Sequence, residues 1–474
     1  MHCMQRWRRV GWAGTAGIGF VLSGCQAYRP APLDLAAHDK AWRLPDLDST
    51  AWSVAAEAAD LSSAVNFTRG LNRREAMAVA LYGNPELRRL RLEAGVAAAS
   101  AEHAGRWDDP ELGFDLLNNL DADDDPWLYG VSLGFTVPLS GRLEAAVAQA
   151  DAEVALRWAE VAERERGVLQ EVGQVWSAWS AAVLQVEAIS VSLEEARPWI
   201  ASAEALVEAG EMSPADARLL RIGLVQRELE QARLEHTVDQ ERLALLALLG
   251  LRPDVGLALL PTLETEAASW SSPVQGDARR AVLLAQPEVR AAERAYEVAE
   301  AVLRREVRKQ YPDLVIGPAY ENEDGQSRVG LGLGLPIPVF NANRAGIAEA
   351  QARRETARVD AEGAYQRAAS ALASAEARWR SASAMARSVR EILVPLAETQ
   401  VREARELLRL GEADVLLLNE ALNAVIDTRL ALIDADADWA AATLDLHLLM
   451  NPGAMPDGME SLPDEPNETA GAKR

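Results

Sequence analysis

An internal duplication constrains the fold of this chain more than any other feature. Asn84-Pro85-Glu86 recurs as Gln286-Pro287-Glu288, and Arg142 recurs as Arg344, both at a spacing of 202 residues. A repeat of this size indicates that one structural unit has been built twice. The predicted units are 70–250 and 276–451, joined by a linker at 251–275.

Each unit contains a segment in which apolar residues alternate with small or polar ones. Trp127 to Val137 carries large apolar side chains at its odd positions, and Val329 to Ile337 alternates in the same way. Alternation over about ten residues predicts a strand long enough to cross a membrane at a tilt. Less regular segments at 112–116 and 314–320 complete two β-hairpins. A strand of a soluble sheet is the alternative, but it would carry long charged side chains on its second face.

Long helical segments follow the hairpins at 142–209 and 344–410. One apolar seam has spacings of three and four residues, typical of a coiled coil. This seam consists of Tyr365, Ala368, Leu372, Ala375 and Trp379. We expect each segment to reverse direction just before its single proline, near 188–198 and 385–395. The predicted fold class is therefore mainly α with transmembrane β, a duplicated unit of long α-helical hairpins plus a β-hairpin.

Four transmembrane strands cannot close a barrel within one chain. Unpaired backbone groups in lipid each cost several kcal/mol, and the smallest barrels need about eight strands. Two copies would supply eight strands and three would supply twelve. The strand count alone does not choose between them.

The N-terminus resembles an export signal. Arg6, Arg8 and Arg9 precede a short apolar stretch that ends in Leu22-Ser23-Gly24-Cys25, which resembles a bacterial lipobox. We predict a lipoprotein signal peptide at 1–24, lipid attachment at Cys25 and a lipidated N-terminal segment at 25–69. An ordinary secretory signal is the alternative. The tail at 452–474 is rich in proline, glycine and acidic residues, a composition that favours disorder.

Charge and motif content argue against several classes of function. The net charge of −24 disfavours a nucleic-acid partner, because phosphate binding needs a basic surface. The five histidines are scattered, and no His, Cys and Asp cluster has the spacing of metal ligands. Nucleophile elbows, phosphate-binding loops and dinucleotide fingerprints are missing from the sequence. We therefore expect no enzyme activity, no cofactor and no resident metal.

The junction from Gly332 to Ala352 carries the most specific resemblance. Its Pro-Ile-Pro-Val-Phe-Asn-Ala-Asn-Arg run is similar to the strand-to-helix junction of the TolC-type outer-membrane efflux family. This resemblance implies a homotrimer with a 12-strand β-barrel in the lipid of the outer membrane and a 12-helix α-barrel as a periplasmic tunnel. It also implies docking of the tunnel tip to a periplasmic adaptor (a membrane fusion protein) and an inner-membrane pump, of the RND type. The chain would then be lipid-anchored in the outer membrane.

The resemblance and the expected helix reversals together suggest a function and a docking site. The candidate tip residues are Glu194, Glu195, Arg197, Arg390, Glu391 and Glu398. The Pro-Ile-Pro-Val-Phe-Asn-x-Asn-Arg pattern looks most like the CzcC-like heavy-metal cation branch, so metal cations are the expected solutes. Multidrug export and type I secretion are alternatives. An alternative of another class is a periplasmic adaptor or a structural coiled-coil lipoprotein.

Overall fold

The computed structural model describes residues 28–42, 69–118, 127–263, 275–323, 326–410 and 415–452. The predicted signal peptide, Cys25, most of the segment at 25–69 and nearly all of the tail at 452–474 lie outside these residues. The chain divides into two compact units, Met1–Leu44 and Pro45–Arg474. The smaller unit contains helix α1, Leu35–Ala41, whose first turn is capped by the Asp34 carboxylate.

The larger unit contains the same succession of elements twice. The first copy comprises α2 (Arg73–Gly83), α3 (Pro85–Ala101), β1 (Glu111–Asn118), β2 (Trp127–Val137), α4 (Arg142–Glu208) and α5 (Pro214–Leu248). The second comprises α6 (Gly276–Leu284), α7 (Pro287–Arg308), β3 (Leu314–Glu323), β4 (Gln326–Gly334), α8 (Arg344–Ser388), a π-helical turn (Val389–Leu393), α9 (Val394–Arg409) and α10 (Val415–Met450). This order confirms the predicted duplicated, mainly helical fold. None of the described helices is long and apolar enough to cross a bilayer.

The four strands form one antiparallel sheet in the order β1-β2-β3-β4. Each copy supplies one hairpin, and pairing of β2 with β3 joins the two hairpins. Gly113 faces Ser132 in the first hairpin, and Val315 faces Gly334 in the second. These two pairs are equivalent at the 202-residue spacing, so the hairpins share one register.

A side-chain amide ties the start of α3 to the end of its own copy. The Asn84 Oδ1 accepts the backbone N–H of Leu87 at 3.2 Å, and its Nδ2 donates to the carbonyl of Leu248 at 2.9 Å. Pro85 is the first helical residue, where its missing N–H costs no hydrogen bond. In the second copy, the Gln286 Nε2 donates to the carbonyl of Leu449 at 2.8 Å. Both copies thus join the same two elements through an amide.

Two equivalent apolar clusters hold the helices together. In the first copy, Trp176 and Trp179 of α4 pack edge to face, with ring centroids 5.4 Å apart, against Leu81 of α2 and Leu245 of α5. In the second, the predicted seam is confirmed, since α8 buries Ala368, Leu372 and Ala375 against α6, α7 and α10. Tyr365 and Trp379 are half-buried at its margins.

The predicted reversal near 188–198 is wrong. α4 continues through Pro198 to Glu208. Pro198 lies on the exposed side of the helix, where water can hydrate the carbonyl that loses its N–H partner. Leu193 and Ala203, on either side of the proline, are buried, so packing maintains the helix across it.

The first copy reverses at residues 209–213 instead. Gly210 adopts a φ of +75°, and the N–H of Glu211 bonds to the carbonyl of Leu206 at 2.9 Å, which closes the helix end. Ser213 then caps α5, with Pro214 as its first residue. Gly210 in the left-handed conformation and the Ser213-Pro214 cap end one helix and begin the next. The isolated, exposed Pro198 does not end a helix.

The predicted reversal near 385–395 is also wrong. α8, the π-helical turn and α9 follow one another without a break up to Arg409. In the π-helical turn, the N–H of Val394 bonds to the carbonyl of Val389, five residues back. The wider turn lies directly before Pro395, where it gives the proline ring room against the preceding turn.

Replacement of Asn84 tests the amide tie. We expect Asn84→Ala to lower the free energy of unfolding by about 1–2 kcal/mol, because α3 loses its cap and the Leu248 carbonyl loses a donor. Thermal unfolding of the detergent-purified protein, followed by circular dichroism, measures this loss. Asn84→Ser keeps a capping oxygen and should recover part of the stability. Equal melting temperatures for Asn84→Ala and wild type would contradict the role given to the tie.

Candidate channel-forming site

One face of the sheet is apolar across all four strands. Cross-strand partners project to the same side of a sheet, so the registers place one set of side chains together. This apolar face includes Leu112, Phe114, Leu116, Tyr129, Val131, Leu133, Phe135, Ile316, Pro318, Tyr320, Val329, Leu331 and Leu333, with the polar Asn322 and Ser327 at its loop end. Phe114 is 72% exposed and Val329 is 83% exposed. No described element covers this face.

The opposite face of the sheet carries mostly small and polar residues, together with the apolar Leu117, Leu128 and Val315. Asp115, Gly130, Glu321 and Arg328 lie in one row across the four strands. Glu111 lies on this same polar face, opposite Gly134. Gly113, Ser132, Gly317, Gly330 and Gly332 also lie on this face, so the middle of the sheet projects little side-chain volume from it.

The sheet has two open edges within the described residues. β1 pairs only with β2, and β4 pairs only with β3. The exposed apolar residues continue beyond β4, where Ile337 is 75% exposed. Each edge therefore presents unpaired backbone groups beside apolar side chains, a combination that favours pairing with a further strand.

A small polar network fixes the joint between the two hairpins. Arg142, the first residue of α4, binds the carboxylates of Asp108 and Asp313. The Ser140 hydroxyl donates to the Asp313 Oδ1 at 2.9 Å. Burial alone would raise the pKa of Asp313, but the hydrogen bonds from Arg142 and Ser140 outweigh it, so this pKa lies below its ordinary value. The sequence spacing singled out Arg142 but gave no sign of these partners.

The six predicted tip residues lie on exposed helix surface rather than at a chain reversal. Arg197 and Glu398 are each about a dozen residues from the end of their helical stretch, which corresponds to about 18 Å. Glu195 and Glu398 come together in a cleft of about 280 Å³ between α4, α9 and α10. Arg402, Arg405 and Arg429 also line this cleft, and no motif in the sequence singles them out.

The other four predicted tip residues are separate from this cleft. Arg390 binds Asp436 of α10 and lies 5.9 Å from the centroid of the Trp439 ring. Arg197 approaches Glu228 of α5 at 4.0 Å. Glu194 and Glu391 are exposed and form no ion pair with a described residue. Over the described part of the chain, no group of three or more His, Cys, Asp or Glu side chains is placed to hold a metal ion.

Comparison with protein families decides the class of this molecule. The model of the outer membrane efflux protein family matches residues 77–251 and again residues 278–452. The chain belongs to the outer membrane efflux protein family. This family comprises outer-membrane channels, so the alternative of a periplasmic adaptor or a structural coiled-coil lipoprotein is set aside. A search of curated protein sequences finds no match.

Solved channel structures share the fold of this efflux protein. CusC matches with a TM-score of 0.69 and 17% identity over 90% of this chain and 98% of its own. The outer-membrane channel OprN matches with a TM-score of 0.71 and 18% identity over 91% and 99%. The open state of MtrE from Neisseria gonorrhoeae matches with a TM-score of 0.67 and 18% identity over 82% and 91%.

The lowered pKa of Asp313 predicts a pH-dependent contribution to stability. The carboxylate stabilises the fold above the unfolded-state pKa of about 3.9, and this contribution disappears as the pH falls through the lower folded-state pKa. Asp313→Asn should therefore cost about 1 kcal/mol at neutral pH and nothing in strong acid. Denaturation at a series of pH values measures the difference. Asp109→Asn, which alters an exposed acid, is the control; the same pH profile in both variants would refute the assignment.

Proposed function

We propose that three copies of this efflux protein form an outer-membrane exit channel. The apolar face of the sheet carries this proposal. It spans every strand, it is exposed, and its side chains are those that lipid accepts. The polar face would then line a water-filled lumen. Three sheets would supply a 12-strand barrel, and the paired long helices would extend it as a 12-helix tunnel in the periplasm.

Aromatic side chains at both ends of the hairpins support membrane insertion. Trp107 and Tyr311 are exposed just before β1 and β3, and Trp127 is exposed at the loop end of β2. Tryptophan and tyrosine are enriched where a membrane meets water. The two levels are separated by the length of one strand, as two membrane interfaces would be.

The channel conducts passively and takes its energy from partners. A periplasmic adaptor docks at the tunnel tip and connects it to an inner-membrane pump of the RND type. The reversal at 209–213 forms the tip, and the six predicted charged residues lie further along the same helices, on exposed surface that is available to the adaptor. Lipidation of Cys25 anchors the chain in the same membrane.

Heavy-metal cations are the proposed solutes. The junction pattern from Pro336 to Arg344 supports this choice, and so does the charge of the polar face. In one row of described residues on this face, the two carboxylates of Asp115 and Glu321 outnumber the single cation, Arg328. An acidic lining concentrates cations in a lumen, and the whole chain has a net charge of −24.

Neighbouring residues on opposite faces of β2 test the membrane assignment. Val131→Arg would place a charge in lipid at a cost of about 2–4 kcal/mol, whereas Ser132→Arg would place it in the lumen. We expect Val131→Arg to be depleted from isolated outer membranes and Ser132→Arg to remain. Quantitative immunoblotting of membrane fractions measures both. Equal recovery of the two variants would argue against an apolar face in lipid.

Deletion of the gene tests the solute. We expect the deletion strain to become sensitive to salts of zinc, cobalt, nickel, cadmium, copper or silver, and the complemented strain to recover. Growth inhibition across these metals and a panel of hydrophobic drugs and dyes is the measurement. Sensitivity to drugs alone would reject metal cations and leave a multidrug channel.

A further inference from the structure

The joint inside one chain shows how neighbouring hairpins are aligned. β2 pairs with β3, and at the helix end of this pair Arg142 binds Asp313. Arg142 directly follows Gly141, whose φ is +70°. The ion pair therefore connects the start of one long helix to the start of the next hairpin.

The duplication repeats both partners of this ion pair at the open edges of the sheet. Arg344 stands 202 residues after Arg142, and Glu111 stands 202 residues before Asp313. Arg344 begins α8 directly after Asn343, whose φ of +51° reproduces the left-handed residue of the first junction. Arg344 and Glu111 are exposed, and neither forms an ion pair with a described residue.

We propose that Arg344 of one copy binds Glu111 of a second copy. β4 of the first copy then lies beside β1 of the second in the register that β2 has with β3. That register places Ile337 opposite Phe114, because Phe135 faces Ile316 in the internal joint. Two exposed apolar side chains would thus be covered at the same contact. The inference rests on the proposed ring of copies and names the residues that align it.

Backbone pairing alone aligns this contact poorly. Pro336 and Pro338 have no N–H to donate, and β4 ends at Gly334. The equivalent part of β2 continues as strand to Val137. Side-chain contacts must therefore set the register over the last residues before α8.

The contact between copies also has fewer polar groups than the internal joint. Ala342 stands at the position equivalent to Ser140, and Gln310 stands at the position equivalent to Asp108. Arg344 consequently has one carboxylate available where Arg142 has two. A change at Arg344 or Glu111 should therefore weaken association between copies without disturbing the joint inside each chain.

Cysteine pairs in the full chain test the contact directly. Arg344→Cys with Glu111→Cys, treated in membranes with a short bismaleimide, should give covalent dimers and trimers on a denaturing gel. The matched control, Arg142→Cys with Asp313→Cys, should cross-link within one chain and stay at the monomer mass. The wild-type chain controls for reaction at its own cysteines.

Light scattering of the detergent-purified proteins distinguishes failure of the Arg344–Glu111 contact from failure of the proposed channel. A wild-type trimer whose 344/111 cysteine pair gives only monomers would overturn the contact and leave the proposed channel intact. A wild-type monomer would overturn both.

Charge exchange provides an independent readout. Arg344→Glu and Glu111→Arg should each lower the temperature at which the oligomer dissociates, and the double variant should regain most of the loss. The ion pair would be rejected if the single variants had the dissociation temperature of the wild type. It would also be rejected if the double variant had a dissociation temperature no higher than those of the single variants.

Discussion

Backbone hydrogen bonding at the edges of the sheet is the constraint on which the rest of the molecule depends. β2 and β3 have a neighbour on both sides, whereas β1 and β4 have one each. In water such edges could be hydrated, but the apolar face beside them suits lipid, where unpaired peptide groups cost several kcal/mol each. A sheet with this surface is complete only when further strands meet both edges.

The helices position the sheet and link it to the rest of each copy. The ends of the two hairpins lead directly into α4 and α8, and left-handed residues at these junctions set the direction of the helices. Amides of Asn84 and Gln286 connect the helices before each hairpin to the last helix of the copy. The long helices are supported by buried seams rather than by their own end caps, since neither α4 nor α8 has a side-chain cap.

The duplication, the strands and the buried seam were predictable, because each depends on spacing along the chain. The helix reversals were not, since the exposed Pro198 and the π-helical turn before Pro395 let the helices continue. The partners of Arg142 were also missed. Asp313 lies 171 residues away, and only the register of β2 with β3 brings the two together. Sequence signals within a few residues do not predict a helix end that packing decides, or an ion pair that the pairing of a distant strand decides.

The covalent connection between the two copies has a consequence for assembly entropy. In the proposed ring, six separate hairpins would lose translational and rotational freedom in five associations, whereas three duplicated chains would lose it in only two. The link through residues 251–275 makes every second joint intramolecular, with an effective concentration that dilution cannot lower. The internal joint carries the richer polar network, and the joints between copies are the places where the proposed ring would come apart on dilution.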